Sequence, residues 1–252
     1  MAVHQLATMT WTDVRALPAA RTVAILPAAA LEAHGPHLPL GTDIVIAEAM
    51  ARAGAERIAA RNFEVLVLPA LPVAPAPFAA AFAGTIHTPA EATTMMVTGV
   101  ARSMAEHGIR VTAIANAHHD PAHVDALRAA VASVAKDGRA VLVFPDLTRR
   151  RWAERLTEEF RSGACHAGRY EGSIVLAERP EAVRSAIMQQ LTPNPHSLIE
   201  AIRTGHATFA SAGGADAYFG FPADATAEEG RATIDALGAI LEEAVMDALE
   251  GR

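Results

Sequence analysis

The chain has 252 residues, of which 51% are apolar and 19% charged, enough for one sizeable core. Its net charge of -7, without any basic stripe, argues against nucleic acid as a partner. No apolar run reaches the roughly 18 residues that a membrane span needs, and the single cysteine, Cys165, excludes an intrachain disulfide and fits a reducing cytoplasm.

The first fourteen residues, MAVHQLATMTWTDV, lack a basic segment followed by an apolar one, so no signal peptide is expected and a cytoplasmic location is. Residues 21–26 (RTVAIL) form the first expected strand. After it comes LEAHGPHLPLGTD (31–43), an irregular loop broken by Gly35, Pro36 and Pro39. A helix is expected over 44–61, a strand over 64–68 (EVLVL), and then an Ala/Pro-rich loop to 89. Pro89 opens a helix reaching 106, residues 110–115 (RVTAIA) a strand, and Pro121 a helix reaching 136. Residues 140–144 (AVLVF) complete the set of strands. Arg149 to Arg151 read as a solvated helix start, residues 165–173 (CHAGRYEGS) as a loop, and residues 180–220 give no clear pattern. A last helix is expected over 225–249, opened by a capping-box variant at Thr226. The strands are apolar at nearly every position, as strands covered on both faces are. The alternation predicts a single α/β domain over 1–252, a three-layer α/β/α sandwich with a mostly parallel central sheet.

Chemistry concentrates in loops that follow strands. Glu32, His34, His37 and Asp43 follow the first, and His118, His119, Asp120 and His123 follow the third. Carboxylates with imidazoles suit divalent zinc, manganese or iron. In sheets of this type ligands gather beyond the carboxyl ends of the strands, so the two loops are expected to meet there. Adjacent His118 and His119 cannot both point inward. Asp120 precedes Pro121 and has a helix-capping reading beside the ligand one. His37 reads as a ligand or as a loop hydrogen-bonding residue, His123 as a rim residue or a partner of a ligand, and Cys165 as a small semi-buried filler.

The segment LPAAALEAHGPHLPLGTD (26–43) resembles the signature of the creatininase family of metal-dependent amidohydrolases. FAGTIHTP (82–89), NAHHDP (116–121), HAGRYEGS (166–173) and GFPADATAEEGRATID (220–235) resemble further segments of that family, in its order. The resemblance implies a three-layer sandwich assembled as a homohexamer, with two divalent metal ions per chain. It implies Glu32, His34, Asp43, His118 and Asp120 as ligands. Asp43 would bridge the ions, Glu32 and His118 would complete one site, and His34 and Asp120 the other. It makes His166 the proton donor and Glu171 an active-site glutamate, and leaves Asp120 free to accept a proton from the attacking water.

The implied reaction is attack by a metal-activated hydroxide on a non-peptide C–N bond, of the cyclic amide or formamide type, in a small-molecule substrate. A peptidase acting on a short modified peptide, like the mycofactocin-maturing members, is the alternative. A non-catalytic metal-binding scaffold of the same fold is another. Some positions depart from the family pattern. Residues 73–84 carry no polar side chain, Ala117 and Gly172 stand where the family has Gly and Thr, His119 replaces an aromatic substrate contact, and Asp120 replaces a longer Glu. These changes argue against creatinine itself as the substrate.

Overall fold

The computed structural model describes residues 1–251 and turns the apolar runs into a five-stranded sheet. The strands are β1 (Val3–Gln5), β2 (Thr22–Ala28), β3 (Glu64–Val67), β4 (Val111–Asn116) and β5 (Val141–Val143), in the order β1-β3-β2-β4-β5. Every neighbouring pair is parallel, with Val23 opposite Val65 on one side and Val111 on the other. Helices α1 (Trp11–Ala16), α2 (Thr42–Ala60), α3 (Ala90–Glu106), α4 (Pro121–Asp137) and α5 (Arg150–Ala153) occupy the first part of the chain. Then follow α6 (Glu158–Ser162), α7 (Arg169–Glu178), α8 (Ser185–Met188), α9 (Leu198–Arg203) and α10 (Ala227–Glu250).

Alternate side chains of β2 to β5 feed two cores. Val23, Ile25, Val65, Val67, Val111 and Ala113 pack with α2, α7 and α10. Ala24, Leu26, Leu66, Ile114 and Leu142 pack with α3 and α4 on the opposite face. Burial on both sides explains why the strands read as continuous apolar runs rather than alternating ones. Among the described residues no helix is long and apolar enough to cross a membrane.

Glycines set how closely the helices on one face approach. A Cβ at Gly54 of α2 would come within 2.6 Å of the Leu241 side chain, and one at Gly238 of α10 within 2.7 Å of Ala53. A Cβ at Gly230 would collide with the Ser173 carbonyl, so α10 lies directly on α7. Thr226 caps α10 by accepting from the Glu229 amide at 3.2 Å.

Besides the short helices at 11–16, 158–162, 185–188 and 198–203, which the sequence did not announce, two elements differ from expectation. β1 is a three-residue edge strand with little apolar content to reveal it. Residues 165–173 are not all loop, because α7 starts at Arg169. Tyr170 through Val175 are all buried, so α7 has no polar face to give its apolar residues a helical period.

The chain leaves β2 for β3 on one side, then crosses to β4 on the other. The loops leaving the carboxyl ends of β2 and β4 therefore part and open a crevice, where parallel sheets of this kind bind ligands.

Candidate metal centre

Four elements bring acids and imidazoles into that crevice. Glu32 and His34 lie on the loop after β2, Asp43 in the first turn of α2, His118 on the loop after β4, and Glu171 in the first turn of α7. All are buried. The turn after His34 needs a glycine, since Gly35 has φ +65° and a Cβ there would lie 2.7 Å from His37 Nδ1.

Backbone carbonyls fix the two imidazoles. His34 Nδ1 bonds the Glu32 carbonyl at 3.1 Å, which leaves Nε2 at 3.2 Å from Asp43 Oδ1 and 3.5 Å from Glu171 Oε2. His118 Nε2 bonds the Pro75 carbonyl at 2.7 Å, which leaves Nδ1 at 3.1 Å from both Glu32 Oε1 and Asp43 Oδ2. One ring nitrogen held by a carbonyl and the other turned toward carboxylates is the arrangement of metal-binding histidines. Three trios place their donor atoms within 4.8 Å of one another: Glu32, Asp43 and His118; His34, Asp43 and Glu171; and Glu32, His34 and His166. Asp43 belongs to the first two.

These residues fit divalent cations on their own evidence. His34 Nε2 and Asp43 Oδ2 are buried without a hydrogen bond. Burial alone would raise the Asp43 carboxyl, but His34 and His118 together, through charge and hydrogen bonds, outweigh it and hold Asp43 well below the usual range. Burial would likewise raise Glu32, and His118 brings it down. Burial would lower His34, yet Asp43 lifts it to about 10. Converging carboxylates thus demand positive charge, which metal ions supply more fully than protonated imidazoles do.

His166 stands beside this group. Its Nε2 bonds the Ala33 carbonyl at 2.9 Å, and its Nδ1 lies 3.9 Å from Glu32 Oε1. Its ring sits 4.4 Å from that of His34 and 4.2 Å from Phe209. Burial first, then the His34 charge, lower it to about 4. Burial pushes Glu171 upward, although the Ala167 amide donates to its Oε2 at 2.6 Å.

Asp120 takes the capping position at the start of α4. Its Oδ1 accepts from the Ala122 amide at 2.9 Å, and its buried Oδ2 has no hydrogen bond. It belongs to none of the trios found among the described residues, whereas Glu171 forms one with His34 and Asp43. His123 bonds Asn116 Oδ1 at 2.8 Å behind His118, while Asn116 Nδ2 donates to the His118 carbonyl at 2.7 Å. His119 lies edge-on to Phe160 at 5.5 Å. His37 is buried with neither ring nitrogen hydrogen-bonded, outside all three trios. Burial raises the Cys165 thiol well above its ordinary value, so it carries no thiolate.

A narrow pocket of about 70 Å³ leads to the centre. Glu32, Asp43, Asp120, Glu171 and His166 line it together with Phe78, Leu198, Ile202 and Phe209. Phe78 comes from the stretch expected to be apolar. The other three come from α9 and the loop after it, in the segment without a readable pattern, where nothing in the sequence marked them.

The family of creatinine amidohydrolases, the creatininases, matches residues 7–245. The chain belongs to the creatininase family. A mycofactocin precursor peptide peptidase from Mycobacterium tuberculosis is 32% identical over 222 residues, 85% of this chain and 81% of the relative. A manganese creatininase superposes with a TM-score of 0.75 at 20% identity, covering 98% of this chain and 99% of the other. A zinc–zinc form of a creatininase variant gives 0.74 at 20% identity over 98% and 99%. Membership in this family makes the chain a hydrolase of the amidohydrolase type, on a fold whose solved members include a manganese form and a zinc–zinc form.

Proposed function

We propose that this creatininase-family protein hydrolyses an amide C–N bond in a short modified peptide, using two divalent ions. The observation that carries the reading is one pocket that joins the acid and imidazole cluster to an apolar wall of Phe78, Leu198, Ile202 and Phe209. A small polar metabolite offers nothing for that wall to hold, whereas a peptide side chain next to the scissile amide does. The 32% identity to a mycofactocin precursor peptide peptidase supports the peptide over the cyclic amide or formamide.

Glu32, Asp43 and His118 would hold one ion, and His34, Asp43 and Glu171 the other, with Asp43 serving both. Bound there, such ions would polarise the amide carbonyl and make a water acidic enough to attack near neutral pH. His166 keeps its Nε2 proton on the Ala33 carbonyl and is neutral, so its bare Nδ1 would receive the attacking water's proton by way of Asp120 and hand it to the departing amine. Asp120 Oδ2, buried and unpartnered, would accept the proton that the attacking water gives up. Phe78 and Phe209 would exclude bulk water from this exchange.

Elemental analysis of protein purified without chelator, together with a substrate panel, tests the reading. We expect close to two ions of manganese or zinc per chain, and cleavage of a mycofactocin-type precursor peptide in preference to creatinine and simple formamides. Turnover of small amides with no peptide cleavage would replace the peptide by a small metabolite. Failure to retain added zinc or manganese would remove the hydrolytic mechanism.

A further inference from the structure

Glu159, on α6, is a buried carboxylate that the mechanism above does not use. Its Oε1 accepts from the Arg169 amide at 3.0 Å and the Phe221 amide at 2.7 Å, and its Oε2 from the Tyr170 amide at 2.6 Å. Arg169 and Tyr170 are the first residues of α7, whose capping residue, Gly168, has no side chain to offer. The negative charge of Glu159 therefore serves as a cap brought in from another helix. Two glycines make room for it. A Cβ at Gly220 would collide with Glu159 Oε1 and the Ala164 carbonyl, and one at Gly168 would lie 2.8 Å from both carboxylate oxygens.

The two segments that Glu159 grips are those that hold His166 and Glu171. The Phe219 amide donates to the His166 carbonyl at 2.7 Å, two residues before the Phe221 amide bound by Glu159. Glu171 follows Tyr170 directly. Between His166 and the helix, Ala167 adopts φ +51°, the left-handed region that an alanine avoids. Strain of this kind persists only where the surroundings over-determine the backbone.

We propose that Glu159 is a positioning residue, clamping the turn at 166–171 between α6 and the 219–221 segment so that His166 Nδ1 and the Glu171 carboxylate face the same space. The proposal rests on the roles given above to His166 and Glu171. Its mechanical part is independent of them.

The test compares the parent with Glu159→Gln, which keeps shape but turns one amide NH2 toward backbone N–H groups, and with Glu159→Asp, which keeps charge but lacks reach. In Glu159→Gln we expect retained circular dichroism and metal content. We expect kcat to fall by about tenfold or more, with KM nearly unchanged, as displacement of catalytic groups produces. Amide exchange across 165–171 should rise while α2 and α4 keep the parent's protection. Glu159→Asp should show the same pattern and takes over the comparison if Glu159→Gln does not fold. Parent-level exchange in a folded variant overturns the clamp, and so does faster exchange with unchanged kcat. Exchange needs no substrate, so an inactive parent would overturn the peptidase reading while the clamp is judged on exchange alone.

Discussion

Asp43 engages both halves of the centre, with Oδ1 toward His34 and Oδ2 toward His118. Replacing it with the isosteric asparagine removes the charge shared by the two trios. We expect Asp43→Asn to retain less than about one ion per chain by elemental analysis and to lose nearly all turnover, since a missing charged ligand costs metal affinity steeply. Asp120→Asn should keep its full complement of metal, because Asp120 stands outside both trios, and its loss should appear in kcat alone. Loss of metal from Asp120→Asn would return Asp120 to the ligand set. Glu32, His34 and Asp43 were legible because Gly35, Pro36 and Pro39 exclude regular structure around them. Glu171 was legible only as an active-site residue. Its place beside His34 and Asp43 depends on contacts across more than a hundred residues of chain, which local pattern does not encode.

The helices that carry these residues owe their positions to close packing. α7 presents Glu171 toward the crevice while its far side lies on α10 at Gly230, where any Cβ meets the Ser173 carbonyl. Gly230→Ala must push the two helices apart. The expected cost is about 1–3 kcal/mol, or several degrees in Tm, with lowered kcat as α7 shifts. An unchanged Tm would mean the contact relaxes freely. Among elements, β2, β3, β4 and β5 were legible through their uninterrupted apolar runs, and α2, α3, α4 and α10 through helical spacing and their starts. The start of α5 was read at Arg149 to Arg151, but β1, α1, α7 and the short helices between 158 and 203 were not. β1 has only three residues, α7 is buried nearly all round, and the short helices depend on the segments they pack against.

The whole molecule places five donor residues from four elements in one crevice between β2 and β4. Binding an ion to such a preformed group stabilises only the folded chain. With metal at about a hundred times its dissociation constant, the gain is about 2.7 kcal/mol per site. Stripping metal with a chelator should therefore lower Tm by several degrees and zinc or manganese should restore it, while calorimetry in chelator without added metal gives the baseline. An equal Tm with and without chelator would mean the fold holds no metal tightly. The crevice was anticipated from the rule for parallel sheets. Its apolar wall was only half foreseen, because α9 and Phe209 lie in a stretch without periodicity.

The parallel order β1-β3-β2-β4-β5 also governs when the centre can exist during synthesis. Glu32, His34 and Asp43 leave the ribosome early, but His118 arrives only after two crossovers, and Glu171 later still. The helix that backs Glu171 spans Ala227–Glu250, near the end of the chain. A nascent fragment thus carries the acids without the imidazole and helix that complete them, and cannot hold an ion in this geometry. Any metal would enter the finished protein, so the supply met after release, rather than during translation, would decide which ion occupies the centre.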